Sequence, residues 1–152
     1  MNNKQFGSKT KSKYTVINIE KYIGNPDNVI IRSSWERDAF TFCDNNPNIL
    51  RWCSEEIVIP YILPLPNGGV RPAKYYPDLY VEYKDVNGKL NRELIEIKPK
   101  KQTRPSRARN PKTKMFENAA FMKNTLKWEA AHAWCKERGI EFKILHEGDQ
   151  FK

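Results

Sequence analysis

The sequence predicts an α/β domain in which helices flank a central mixed β-sheet. Three features carry that prediction: an apolar/polar alternation over residues 75–98 with a reversal at Asn87-Gly88, a capped amphipathic helix opening at Ser33, and a long helical pattern over 112–139 followed by one more alternating run. At 152 residues the chain suits one domain, and four Trp, seven Phe and seven Tyr can fill its core. Twenty-seven basic against eighteen acidic side chains leave a net charge of +9, a surplus that favours polyanions, nucleic acid first among them. No run of eighteen apolar residues occurs, and the N-terminal residues contain no apolar signal core, so no membrane association and a cytosolic location are expected. Cys43, Cys53 and Cys135 are odd in number and widely spaced, which reads as buried reduced thiols rather than a zinc site.

Residues 1–13 place Lys4, Lys9, Lys11 and Lys13 among small polar residues and read as a flexible basic arm ahead of a single domain spanning 14–152. Apolar residues return from Tyr14 to Ile23 and break at Gly24-Asn25-Pro26-Asp27, which suggests a short surface element without an assigned role. Ser33 with Glu36 three residues later is a capping-box pattern, and Trp35, Ala39, Phe42 and Cys43 continue it as a buried stripe until Asn45-Asn46-Pro47. Ile49–Cys53 reads as a strand or a tight crossing, and 57–63 as a strand interrupted by Pro60; both are expected to pair with the central hairpin. Pro64 to Gly69 form a turn, after which Val70 to Tyr76 lead into the next strand. Glu55 and Glu56 read as solvated. In the long helix Met115, Ala119, Met122, Leu126 and Ala130 recur at core spacing, a break is expected near Asn124-Thr125, and Gly139 is a suitable stop before a final strand at 141–145.

The chemistry is concentrated in the hairpin. Leu79, Val81 and Tyr83 alternate with Asp78, Tyr80 and Glu82, and in the returning strand Ile95 and Ile97 take one face, so Glu96 and Lys98 share the other. Two carboxylates brought close raise a pKa unless a cation lies between them, and Mg²⁺, which binds through one or two carboxylates and keeps water and phosphate oxygens as its other ligands, suits Asp78 and Glu96. Such a site can hydrolyse phosphodiesters, with Lys98 orienting water or neutralising the developing oxyanion. The same residues also fit an ordinary solvated hairpin face. Glu36 likewise has two readings, a capping group and a third acid for the metal. From 98 to 114 the chain holds eight Lys or Arg and no acid, with Pro99, Pro105 and Pro111 excluding a helix across the segment. This reads as a DNA-facing flap that grips phosphate without reading sequence, and the absence of a helix-turn-helix pattern implies weak sequence preference. The candidate DNA contacts are Arg32, Arg71, Lys74, Lys100, Lys101, Arg104, Arg107 and Arg109.

Pro77-Asp78, the seventeen residues 79–95 and then Glu96-Ile97-Lys98 resemble the PD-(D/E)xK nuclease signature. Together with Arg32-Ser33-Ser34-Trp35-Glu36, Ile59-Pro60-Tyr61, Lys127-Trp128 and Arg138-Gly139-Ile140 they resemble the head-completion nucleases of T-even-type tailed bacteriophages and, more distantly, the TnsA-type transposase endonucleases. The resemblance implies a restriction-endonuclease-like fold with Glu36, Asp78, Glu96 and Lys98 catalytic, and with Mg²⁺ or Mn²⁺ held by Glu36, Asp78 and Glu96. It further implies double-stranded DNA as substrate, trimming of packaged DNA so that heads can join tails, portal or neck proteins as partners, and location in the host cytoplasm or at the virion head. Two alternatives stand beside it: an inactive DNA-binding assembly protein, and a nuclease working with a transposase or repair partner.

Overall fold

The computed structural model describes residues 12–146, so most of the expected N-terminal arm lies outside the described residues. Among the described residues the strands are, in chain order, β1 (Ser12–Lys13), β2 (Ile30–Ile31), β3 (Ile49–Cys53), β4 (Ile59–Pro64), β5 (Val70–Tyr75), β6 (Leu79–Lys84), β7 (Leu90–Ile97) and β8 (Glu141–Leu145), and the α-helices are α1 (Ser34–Asn45) and α2 (Pro111–Arg138). The central sheet has the order β3-β6-β7-β8. Its first three strands are antiparallel, while β8 runs parallel to β7. A parallel neighbour needs a crossover connection, and α2 supplies it. The sheet is therefore mixed and flanked by helices, as the sequence predicts.

The β6–β7 hairpin forms where the alternation places it. Gly88 adopts φ 78°, and Asp85 Oδ1 accepts the backbone N–H groups of Asn87 and Lys89, closing the reversal. Pairing of Leu79 with Ile95 and Val81 with Glu93 sets the register, so Leu79, Val81, Tyr83, Glu93 and Ile95 share one face. A cavity of about 660 Å³ lies between that face and α1, lined by Phe42 and Cys43 from the helix. On the opposite face Leu94 and Phe142 are buried, His132 of α2 meets the Phe142 ring edge-on, and α2 packs on β4 and β8.

Three expectations about the elements are corrected. The 57–63 segment does not join the central sheet: among the described residues β4 pairs with β5 alone, which is a strand of its own rather than a lead-in to β6. Pro60, Pro64 and Pro72 lack N–H groups, which suits an edge ribbon better than a central strand. The long helix runs unbroken from Pro111 to Arg138, because Thr125 turns its hydroxyl back onto the Phe121 carbonyl at 2.9 Å and Asn124 is buried. Its start and stop match the sequence reading, with Asn110 capping the Lys112 and Thr113 N–H groups and Gly139 left-handed at φ 70°. However, Met115 and Met122 of its supposed core stripe are 69% and 62% exposed, since the first half of α2 projects past the sheet toward the basic segment.

The N-terminal stretch, read as a surface element, is locked to the core. Ser12–Lys13, assigned by sequence to the mobile arm, pair with Ile30–Ile31. Val16 and Tyr22 are buried. The organising group is Asp44 at the end of α1, fully buried, whose carboxylate accepts the Tyr14 hydroxyl (2.8 Å) and the N–H groups of Ile17 (2.8 Å) and Asn18 (2.9 Å). These bonds favour its charged form, and its pKa lies below the ordinary carboxylate range in spite of the opposing desolvation. All three cysteines are free and buried, as expected.

Asp44→Ala leaves three donors without their acceptor. Urea unfolding should show a loss of about 2–4 kcal/mol; a loss below about 0.5 kcal/mol would remove Asp44 as the lock on the N-terminal segment.

Candidate active site

Asp78 directly follows the buried Pro77 and precedes β6, and continuing the β6–β7 register by one residue sets it opposite Glu96. Alternation then places Lys98 on the same side, so the sequence-predicted trio comes together at one end of the hairpin. Each member is held. The backbone N–H of Ile97 donates to Asp78 Oδ2 at 2.8 Å, and the Tyr75 hydroxyl donates to Glu96 Oε1 at 2.7 Å. Lys98 Nζ stands 3.6 Å from Glu96 Oε2, and the Lys98 backbone N–H donates to Leu145 O at 3.0 Å, fastening the site to β8.

Burial and the neighbouring Glu96 charge push the Asp78 carboxyl up to about 8, against the opposing pull of the Ile97 N–H. At that value Asp78 keeps its proton at neutral pH. Tyr75 is pushed far above its ordinary value, by burial first and by Glu96 next, so it remains a hydroxyl that donates to Glu96. The donor set fits a hard divalent cation: oxygen ligands only, two adjacent carboxylates that repel, and an ammonium that does not fully offset them.

Glu36 is buried at the start of α1, where its carboxylate is engaged by the backbone. Its N–H donates to Ser33 Oγ at 3.1 Å as a cap requires, but its carboxylate accepts the N–H of Arg32 at 2.7 Å, one residue before the capping Ser33. Its charge reaches Asp78, and Glu96 in turn raises its pKa after burial and Glu55. Among the described residues no three His, Cys, Asp or Glu side chains converge closely enough to hold an ion. The close pair is Asp78–Glu96, with Glu36 a neighbour already engaged by the backbone.

The predicted DNA contacts fall in three places. Arg32 lies near Glu36 and Asp78 but is held in a two-pronged pair with Glu55, at 2.9 and 3.0 Å. Glu55, read by sequence as solvated, thus has a partner, and it adopts a left-handed φ of 56° that costs a non-glycine residue about 1 kcal/mol. Glu56 is likewise engaged, accepting the Tyr22 hydroxyl at 3.1 Å and the Asn25 N–H at 3.2 Å. Arg71 and Lys74 are exposed on β5. Lys100 and Lys101 lie in a short 3-10 turn (Lys100–Thr103), and the chain through Arg104, Arg107 and Arg109 is tied to α2 by Ser106, which donates its N–H to Asn118 Oδ1 (2.8 Å) and its hydroxyl to Glu117 Oε1 (2.7 Å).

Sequence reasoning missed two groups at the site. Tyr75, within the stretch read as leading into the next strand, is a buried donor that fixes Glu96. Lys127 of α2 was given no role; it is half-buried, its ammonium lies 5.5 Å from the centroid of the Tyr75 ring, and its pKa is lowered by burial and by Lys98 and Lys123. A tertiary contact between helix and ribbon creates this placement, and no local pattern announces it.

A mixed sheet that presents two acids and a lysine from one hairpin, with helices against it, is the restriction-endonuclease-like α/β fold. The TnsA-like endonuclease N-terminal domain family matches residues 46–147, and the chain belongs to that nuclease family. It is also 38% identical over 141 residues, 89% of each chain, to the head completion nuclease of Enterobacteria phage T4. The family match includes Asp78, Glu96 and Lys98 and begins downstream of Glu36.

The raised Asp78 pKa fixes a sign. The folded state keeps a proton that the unfolded chain releases near pH 4, so this group makes metal-free stability fall as pH rises from about 4 to 8. In EDTA, Asp78→Asn should flatten that decline and raise Tm at pH 8 by roughly 5 °C over the unsubstituted protein. Parallel Tm curves would mean that Asp78 carries no such proton.

Proposed function

We propose that the chain is a divalent-metal-dependent DNA nuclease, with Asp78 and Glu96 holding Mg²⁺ or Mn²⁺ and Lys98 acting beside them. The single observation that carries this reading is the pairing of Asp78 with Glu96: two facing carboxylates, each oriented by its own donor, with an ammonium 3.6 Å from one of them. When bound, the cation supplies positive charge at the scissile phosphate and makes nearby water more acidic. The remaining work belongs to the protein. Tyr75 and the Ile97 N–H keep the two carboxylates aimed at one point, so little reorganisation is needed when substrate arrives. Lys98 can hold the attacking water or meet the charge that grows on the phosphate oxygens. Glu36 shapes the negative field from the start of α1.

DNA is the substrate that the charge favours. The exposed Lys100, Lys101, Arg107 and Arg109 follow Lys98 directly along the chain, so a backbone gripped by the flap passes close to the acids. Arg71 and Lys74 offer further phosphate contacts from β5. Arg32 can serve only by loosening its hold on Glu55. A role in head completion follows the name of the phage T4 relative, and trimming of packaged DNA before heads join tails is the form of that role we propose.

Linear and circular DNA incubated with and without Mg²⁺ tests the reading. Cleavage should require the ion and vanish in Asp78→Ala and Glu96→Ala; cutting that survives either substitution rejects the site. Replacing Arg104, Arg107 and Arg109 by Ala should reduce the slope of log affinity against log salt by roughly 2 to 3. An unchanged slope would remove the flap from the DNA path.

A further inference from the structure

Two lysines face the acid pair, and only one has an acid partner. Lys98 is matched to Glu96 at 3.6 Å. Lys127 reaches the same site from α2, with its ammonium 5.5 Å from the centre of the Tyr75 ring, whose hydroxyl is bonded to Glu96. Among the described residues it has no carboxylate within 4.0 Å and no hydrogen bond; the Tyr75 ring is its contact. Asp78 and Glu96 attract it from beyond ion-pair distance while Lys98 and Lys123 repel it, so a half-buried ammonium is left without a direct anionic partner.

We propose that Lys127 forms an anion subsite of the active centre, binding a non-bridging oxygen of the phosphodiester that is cut or of its immediate neighbour. The ligand chemistry is a singly charged phosphodiester. Lys98 and Lys127 then approach it from different elements, the hairpin and the long helix, and Tyr75 joins the two sides by orienting Glu96 with its hydroxyl and supporting Lys127 with its ring. A cation over an aromatic face remains free to accept a phosphate oxygen, unlike one already locked to a carboxylate. This inference rests on the nuclease reading above.

Lys127→Met keeps the apolar stem and removes the charge, while Lys127→Arg keeps both. In single-turnover cleavage at saturating DNA with Mg²⁺, Lys127→Met should cut about 10- to 100-fold more slowly, and Lys127→Arg should restore most of the rate. With Ca²⁺ in place of Mg²⁺, the salt slope of DNA binding should fall by about 0.9 in Lys127→Met, the loss of one phosphate contact, which a merely structural role would not produce. Thermal melts verify that both variants fold, and Lys136→Ala, on the exposed far end of α2, serves as the control that should leave rate and slope unchanged. Folded Lys127→Met that cuts at the original rate with an unchanged slope overturns the subsite. Asp78→Asn separates the two claims: if it is inactive while Lys127→Met is fully active, the subsite alone falls, and if Asp78→Asn cuts normally the nuclease site falls with it.

Discussion

Two carboxylates facing each other across a pair of antiparallel strands repel, and the fold is built to keep them there. Asp78 and Glu96 could move apart if either were free, yet each is tied by a donor of its own: the Ile97 N–H for one, the Tyr75 hydroxyl for the other. The arrangement stores an unfavourable charge contact that a proton relieves in part and a divalent cation relieves more fully. Sites of this kind are poor choices for stability and useful ones for chemistry.

Much of the remaining structure supports that contact from outside. The β4–β5 ribbon brings Tyr75 to Glu96, and its three prolines suit it to an edge that pairs no further. Helix α2 crosses the ribbon and carries Lys127 into the same corner, while its exposed first half anchors the basic flap through Asn118 and Glu117. On the far side of the sheet, Asp44 fastens the N-terminal segment to the end of α1, whose first turn carries Glu36. One helix thus links the structural lock at one end to the acid neighbourhood at the other.

What could be read in advance was whatever depends on local periodicity. The two-residue period of a strand forces Asp78, Glu96 and Lys98 onto one face regardless of the rest of the fold, and Asn87-Gly88 permits only a tight reversal. The cap at Ser33 and the left-handed Gly139 are equally local. Partnerships set by packing were not legible. Residues 57–63 look like a central strand until β5 is recognised as their partner, and Met115 and Met122 follow a core period on a helix half that meets the basic segment rather than the sheet. Asp44, Tyr75 and Lys127 owe their meaning to residues twenty or more positions away, so composition and spacing could not single them out. Glu36 shows the boundary between the two cases: the sequence offered both a cap and a ligand, and the carboxylate serves the backbone while lying within electrostatic reach of Asp78.

If the acid pair takes a metal ion, Asp78 must give up its proton, and calorimetric titration of Mn²⁺ at pH 7 in two buffers of different ionisation enthalpy tests that exchange directly. The expected result is one principal binding event that releases close to one proton per ion and disappears in Asp78→Asn. Binding without proton release, or binding of equal strength after that substitution, would contradict it.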